Sequence, residues 1–357
     1  MPVGYSSTRW HGQLRQLARN KACGIQIPLF EACEPRMGGD SVRLARIAAQ
    51  TAVIEQHLLA RYPSTFFRSV AVRDFIRQVC VQHIERDLGD ANFVTELCAG
   101  VDARYWQRLS EALVGNELLA AGLPIRSSSH GPDFLLEVDD HRIWVEVICP
   151  QPTGIPQDWL APPTGQAMSF PHEAVLLRWT AAVKEKAEKL LGNPANGIKG
   201  YLEKGFVSAQ DSYVIAINGR LLRGPHFASI TGISQLPSAV EAAFAVGPMT
   251  LTIDRNTLQT VGEGHQHRPI IKKPNGAGVP AYSFLDPSFA PVSAIWATDL
   301  DATWVIGNAK PMAVVHNPGA TRALPVGLLP CQDEYVATPN GVDEYALERR
   351  PGRTTQL

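Results

Sequence analysis

None of the six cysteines (Cys23, Cys33, Cys80, Cys98, Cys149, Cys331) forms a C-x-x-C pair, so neither a zinc ribbon nor a thioredoxin-like redox centre is expected. Scattered through a chain long enough to fold without staples, they read as reduced thiols of a cytoplasmic protein. No window approaches 18 uninterrupted apolar residues, and the opening MPVGYSSTRWHGQLRQLARNK carries no apolar stretch of the secretory kind. Neither a membrane-spanning helix nor a secretory signal is therefore expected. An excess of either charge is also missing: 33 Lys and Arg stand against 34 Asp and Glu. That balance excludes a globally basic nucleic-acid coat and leaves room for a local basic groove. There is no G-x-S-x-G elbow and no G-x-x-x-x-G-K-[ST] loop, which argues against a Ser–His–Asp hydrolase and an NTPase motor.

What is present is a 357-residue chain, 45% hydrophobic, with 29 Gly and 27 Pro. This suits a mixed α/β protein of two domains, or one large domain with appendages. Helical spacing of apolar residues runs through 41–61, 70–88 and 103–121, the last closed by Gly122 and Pro124. The texture then changes. Residues 133–138 (DFLLEV) and 143–148 (IWVEVI) are short, apolar and β-prone, and the turn cluster 139–142 joins them as a hairpin. A proline-rich loop over 150–171 follows, then a helix over 172–191 and a buried strand over 213–218. Residues 223–290 read mostly as loop, with a helical piece near 239–245. Further strands are expected at 292–297 and 312–315, before a polar, frayed tail. The expected division is a helical N-terminal region (1–100), an α/β core (101–330) and a polar C-terminal tail (331–357).

Pairing Val138 with Ile143 sets Asp133 opposite Ile148 and Glu146 opposite Leu135. Asp133, Leu135 and Glu146 then share one face, with the two acids diagonal neighbours at about 7–8 Å. Two carboxylates in an apolar hairpin repel and lose hydration unless a cation lies between them. Hard oxygen donors at that separation suit Mg²⁺, which activates water and offsets charge on a phosphodiester. A one-residue change in the turn would send the acids to opposite faces.

The segment Gly131-Pro132-Asp133-Phe134, with Glu146 thirteen residues on in Val145-Glu146-Val147-Ile148, resembles the PD-(D/E)xK nuclease superfamily. The order around it is similar too: an acid-bearing helix, the hairpin, a helix, then a buried strand. Arg108-Leu109-Ser110-Glu111 looks like the superfamily's R-L-x-E helix and implicates Glu111. The resemblance covers roughly residues 103–220. It implies a restriction-endonuclease-like mixed central sheet flanked by helices, and metal-dependent hydrolysis of DNA, with a restriction or anti-phage role by analogy. Asp133, Glu146 and the Val147 carbonyl would hold Mg²⁺ or Mn²⁺, with Glu111 assisting. The superfamily lysine is missing where Ile148 stands. Some members supply it from the following helix, which points to Lys186, with Lys184 and Lys189 as substitutes. Arg178, two turns earlier, would fork a phosphate.

Other polar residues read more plainly. Glu117 falls about 240° around the helix from Glu111 and is assigned to solvent. His265 and His267 read as exposed loop residues, His316-Asn317-Pro318 as a turn, with substrate contact as the alternative, and Asp299 and Asp301 as a turn between strands. The N-terminal helices are expected to recognise substrate or a partner subunit, and a homodimer would fit an enzyme cutting both strands. The rival reading is a non-catalytic module with the same fold, acting as a scaffold or nucleic-acid clamp; an unrelated α/β protein with accidental acids is the other.

Overall fold

The computed structural model describes residues 37–128, 130–225, 230–341 and 345–354. The chain divides into two units, Met1–Val42 and Arg43–Leu357. Of the first, only the start of one helix is described, so expectations for residues 1–36, Cys23 and Cys33 included, lie outside the described residues. The second unit carries the rest of that helix, the remaining helices and every described strand.

Helices come first: α1 (Met37–Arg61), α2 (Phe67–Glu85), α3 (Phe93–Leu97) and α4 (Asp102–Ala120). α4 is buried without a break from Leu109 to Gly115, whereas α2 has one buried stripe. The stripe is Ile76, Val79, Cys80, His83 and Ile84, at the three- and four-residue spacing that keeps one helix face against a core. α4 ends as expected at Gly122, whose φ of 72° suits a residue without a Cβ. The Gly122 N–H donates to Leu119 O and that of Leu123 to Leu118 O, closing the last turn as a Schellman motif.

Strands β1 (Ile125–Arg126), β2 (Phe134–Val138) and β3 (His141–Ile148) follow, then α5 (Gln157–Leu160) and α6 (His172–Leu191). Gly192 ends α6 at φ 84°, where a Cβ would meet the Ile198 carbonyl at 2.6 Å, and opens the small hairpin β4 (Gly192–Asn193) and β5 (Ile198–Lys199). After β6 (Ser212–Asn218) come α7 (Ser238–Phe244), the hairpin β7 (Val246–Ile253) and β8 (Thr260–His267), and a second hairpin, β9 (Ile270–Lys272) and β10 (Gly278–Pro280). The chain closes with β11 (Ala294–Thr298), β12 (Met312–His316), β13 (Asp333–Pro339) and β14 (Tyr345–Pro351).

Among the described residues the main sheet has eight strands in the order β1-β2-β3-β6-β11-β12-β13-β14. β1, β2 and β3 form an antiparallel meander; β3, β6 and β11 run parallel; β11–β12 is antiparallel. Both faces are covered, so the central strands read as unbroken apolar runs. Val145, Val147, Val214 and Trp296 point to one core, shared with Ile54, Leu58, α2 and α4. Leu135, Trp144, Ile148, Ile215 and Ile295 point to the other, shared with α6 and α7. The protein is thus a mixed α/β fold, a sheet between two helical layers.

Three expectations change. No boundary falls near residue 100, because α2 and α4 pack against the same sheet face. Of the expected tail, residues 331–341 and 345–354 are described and are not frayed: β13 pairs parallel to β12 and antiparallel to β14, with Tyr335 and Ala337 in the core. Their polarity is that of an edge, where Arg349 pairs with Asp333 at 2.8 Å. Residues 246–280 are two hairpins rather than loop, and His265 and His267 lie on β8, with His265 Nδ1 3.0 Å from Gly247 O.

Candidate active site

The β2–β3 turn is tighter than the sequence suggests. Val138 pairs with His141, not Ile143, leaving Asp139-Asp140 as a two-residue turn with Asp139 at φ 49°. A positive φ there lets the turn follow the twist of the strands. The register slips by two residues rather than one, so the faces are preserved. Phe134 lies opposite Val145, so Asp133, one residue before the strand, stands across from Glu146. The Val147 N–H donates to Asp133 Oδ2 at 2.6 Å.

Glu146 therefore points into the α6 core and is 2% exposed. A bare carboxylate there would be costly, and α6 supplies two cations. Lys186 Nζ, on a residue 4% exposed, lies 2.7 Å from Glu146 Oε1, and Lys189 Nζ lies 2.8 Å from the same oxygen. Lys186 and Lys189, nearly one turn apart, face the same way; Lys184 turns outward, exposed, and makes an i,i+4 pair with Glu188 at 3.8 Å. Of the three lysines singled out in the sequence, Lys186 and Lys189 reach Glu146 and Lys184 does not.

On the sheet's other side α4 brings Glu111, 7% exposed. Arg108 Nη1 donates to Glu111 Oε2 at 2.8 Å and also grips Glu96 and Asp90. Gln107, unremarked in the sequence, ties the site together. Its amide nitrogen donates to Glu111 at 3.0 Å and to the Val147 carbonyl at 3.1 Å, and its oxygen accepts from Cys149 N–H. The signal for it was its position four residues before Glu111, one turn away on the same face. Tyr201 completes the set, 3.5 Å from Glu146 Oε2.

The electrostatics follow from this packing. Burial raises Glu146, yet Lys186 and Lys189 outweigh it and hold its carboxyl below the usual range. Burial raises Glu111, with Arg108, Gln107 and Lys186 opposing. Asp133 is pushed well above its ordinary value by loss of hydration, then by the charges of Glu146 and Glu111; Lys186 and the Val147 N–H only moderate this. Asp133 is therefore the acid in the cluster without a cation of its own.

A hard divalent ion between Asp133 and Glu146 would relieve that repulsion, and the donors on hand are all oxygen. Among the described residues no three acidic, histidine or cysteine side chains are grouped to hold a metal by themselves. The fit is thus two carboxylates and the Val147 carbonyl, whose second lone pair Gln107 leaves open, the rest of the shell being water or substrate oxygen as Mg²⁺ prefers.

Beside the cluster a pocket of about 280 Å³ opens, lined by Arg104, Gln107, Ile148 and Arg178 among others. Arg178 Nε is buried there without a hydrogen-bond partner.

The remaining candidates are structural. Glu117 is not solvated: it is 2% exposed and takes Lys310 Nζ on both oxygens at 2.9 Å. Asp299 and Asp301 do lie between β11 and β12, and in addition they form a buried ion-pair network with Arg220 and Arg223. Asn317 makes the expected turn, donating to Phe289 O and Val292 O and accepting from Gly319 N–H. The described cysteines, Cys80, Cys98, Cys149 and Cys331, are free thiols, and no described helix is long and apolar enough to cross a membrane. No family model matches the chain, and no curated protein or solved structure is similar enough to it to count as a match.

Proposed function

We propose that this chain is a metal-dependent nuclease that hydrolyses phosphodiester bonds in DNA, with a restriction-endonuclease-like core formed by α4, β1–β3, α6 and β6. The observation that carries the reading is the approach of Lys186, from a separate helix, to Glu146 beside Asp133; in this reading it takes the place of the lysine absent at Ile148. The element order supports it: a helix bearing Glu111, a three-strand meander, a helix on the opposite face, then a strand parallel to β3.

In this reading Asp133, Glu146 and the Val147 carbonyl hold Mg²⁺ or Mn²⁺. Such an ion, when bound, lowers the pKa of water and draws charge from a phosphoryl oxygen. Lys186 leaves Glu146 to orient the attacking water or to meet charge developing on the phosphoryl group. Lys189 remains on the same carboxylate oxygen, so Glu146 keeps a counter-ion while Lys186 works. Gln107 and Arg108 fix Glu111 and the Val147 carbonyl, and Arg178 presents its guanidinium to a neighbouring phosphate.

One observation favours the rival, a non-catalytic module of the same fold: both lysines already occupy Glu146 and Arg108 occupies Glu111. Calorimetric titration with Mn²⁺ separates the two. The nuclease reading expects binding by the wild type that Asp133→Asn abolishes; a wild type without affinity favours the module.

A further inference from the structure

A second and larger hollow, of about 960 Å³, lies along the outer face of α6, closed by the β9–β10 turn and by residues 282–289. Four cations and three acids line it. The cations are Arg178, Lys184, Lys272 and Lys273. Glu173 is held by Arg268 at 2.7 Å and Glu188 faces Lys184 at 3.8 Å within the hollow, which leaves Asp286, a carboxylate accepting the Ser288 N–H, against the three other cations. Among the described residues Arg178, Lys272 and Lys273 have no ion pair, although Arg178 Nε is buried. Two half-buried aromatics, Tyr282 and Phe289, form part of the wall. Unpaired cations beside aromatic faces are what a single-stranded polynucleotide requires, phosphates for the cations and bases for the rings. A duplex does not fit. The hollow is about 10 Å across if equal in all directions, whereas the major groove of B-form DNA alone is about 12 Å wide. Arg178 lines both this hollow and the small pocket beside Gln107, so the two meet at one side chain.

We infer that the α6 groove binds a single strand of DNA and guides it past Arg178 to the acidic cluster, which makes single-stranded DNA, or a single-stranded branch of a duplex, the substrate class. The inference rests on the nuclease reading, and its test needs no cleavage. Fluorescence anisotropy in EDTA measures binding of a labelled twelve-residue oligo-dT by the full chain at several salt concentrations. Each single-strand phosphate contact contributes about 0.7 to the slope of log affinity against log salt. The double variant Lys272→Gln, Lys273→Gln, on an exposed hairpin, should therefore bind more weakly and lose about 1.4 from that slope. Tyr282→Ala should weaken binding roughly 5- to 150-fold, with circular dichroism confirming that it folds. An unchanged slope and affinity in the double lysine variant overturns the inference, as does a twelve-base-pair duplex binding as tightly as the single strand. A chain that cuts DNA yet shows an unchanged slope loses the groove alone; groove-dependent binding without cutting keeps the groove and removes the nuclease.

Discussion

The Glu146–Lys186 pair gives the sharpest test of how the site is built. Glu146→Gln leaves the Lys186 ammonium, on a residue 4% exposed, without its carboxylate, which costs about 3 kcal/mol, the low end for orphaning a buried charge. Asp133 limits the loss, since the removal of one repelling neighbour lets it ionise toward Lys186. Lys186→Met leaves Glu146 to Lys189 alone, whose side chain is 45% exposed and well solvated, so that loss is also about 3 kcal/mol rather than more. With both changes neither charge is orphaned, and the double variant should lose far less than the roughly 6 kcal/mol that independent sites would give. Urea unfolding of the metal-free protein measures this coupling. Tryptophan fluorescence reports on both cores, with Trp144 and Trp179 on the α6 side and Trp296 on the other, and it must coincide with far-UV circular dichroism for a two-state treatment. Additivity within about 0.5 kcal/mol would refute the pairing.

The remaining predictions concern charge elsewhere in the cluster and beyond it. Asp133 binds its proton more tightly folded than unfolded, so stability falls as pH rises from its ordinary value of 3.8 through the folded value, and stays lower above it. Asp133→Asn, whose amide oxygen still accepts the Val147 N–H, should remove that decline and unfold at higher urea than wild type at neutral pH; parallel pH–stability curves for the two would sink the assignment. Glu117→Gln orphans Lys310 and should destabilise by roughly 2–4 kcal/mol, while cleavage per folded molecule stays at the wild-type level, since Glu117 is remote from Glu146 in its contacts. Truncation before Tyr345 exposes the β13 edge and should produce concentration-dependent association visible by light scattering.

Much of this architecture was legible because its signals are local. The apolar runs at 133–138 and 143–148 read as a hairpin and 213–218 as a buried strand, and the helix over 172–191 has the same bounds in the structure. Asp133 and Glu146 shared a face for any even slip of register, so the site survived the shorter turn. What escaped depends on tertiary partners. Glu117 reads as a solvated glutamate until Lys310, 193 residues on, is brought to it. The strands over 246–267 hide behind Gly and Thr, with Met249, Leu251 and Ile253 exposed on a ribbon that crosses no core. β14 is polar because it is an edge. Lys184, Lys186 and Lys189 are equivalent in composition, and only the angle between them around α6 separates Lys184 from the other two.

The central claim is that Asp133, Glu146 and Lys186 form one phosphodiester-cleaving centre. The most direct measurement is cleavage of supercoiled plasmid and of single-stranded DNA in Mg²⁺ or Mn²⁺, comparing wild type with Asp133→Asn, Lys186→Met and the off-site Glu117→Gln. The account predicts metal-dependent cutting by wild type and Glu117→Gln, and none by the two site variants. Cutting that persists in Asp133→Asn, or no cutting by the wild type with either metal and either substrate, would contradict it.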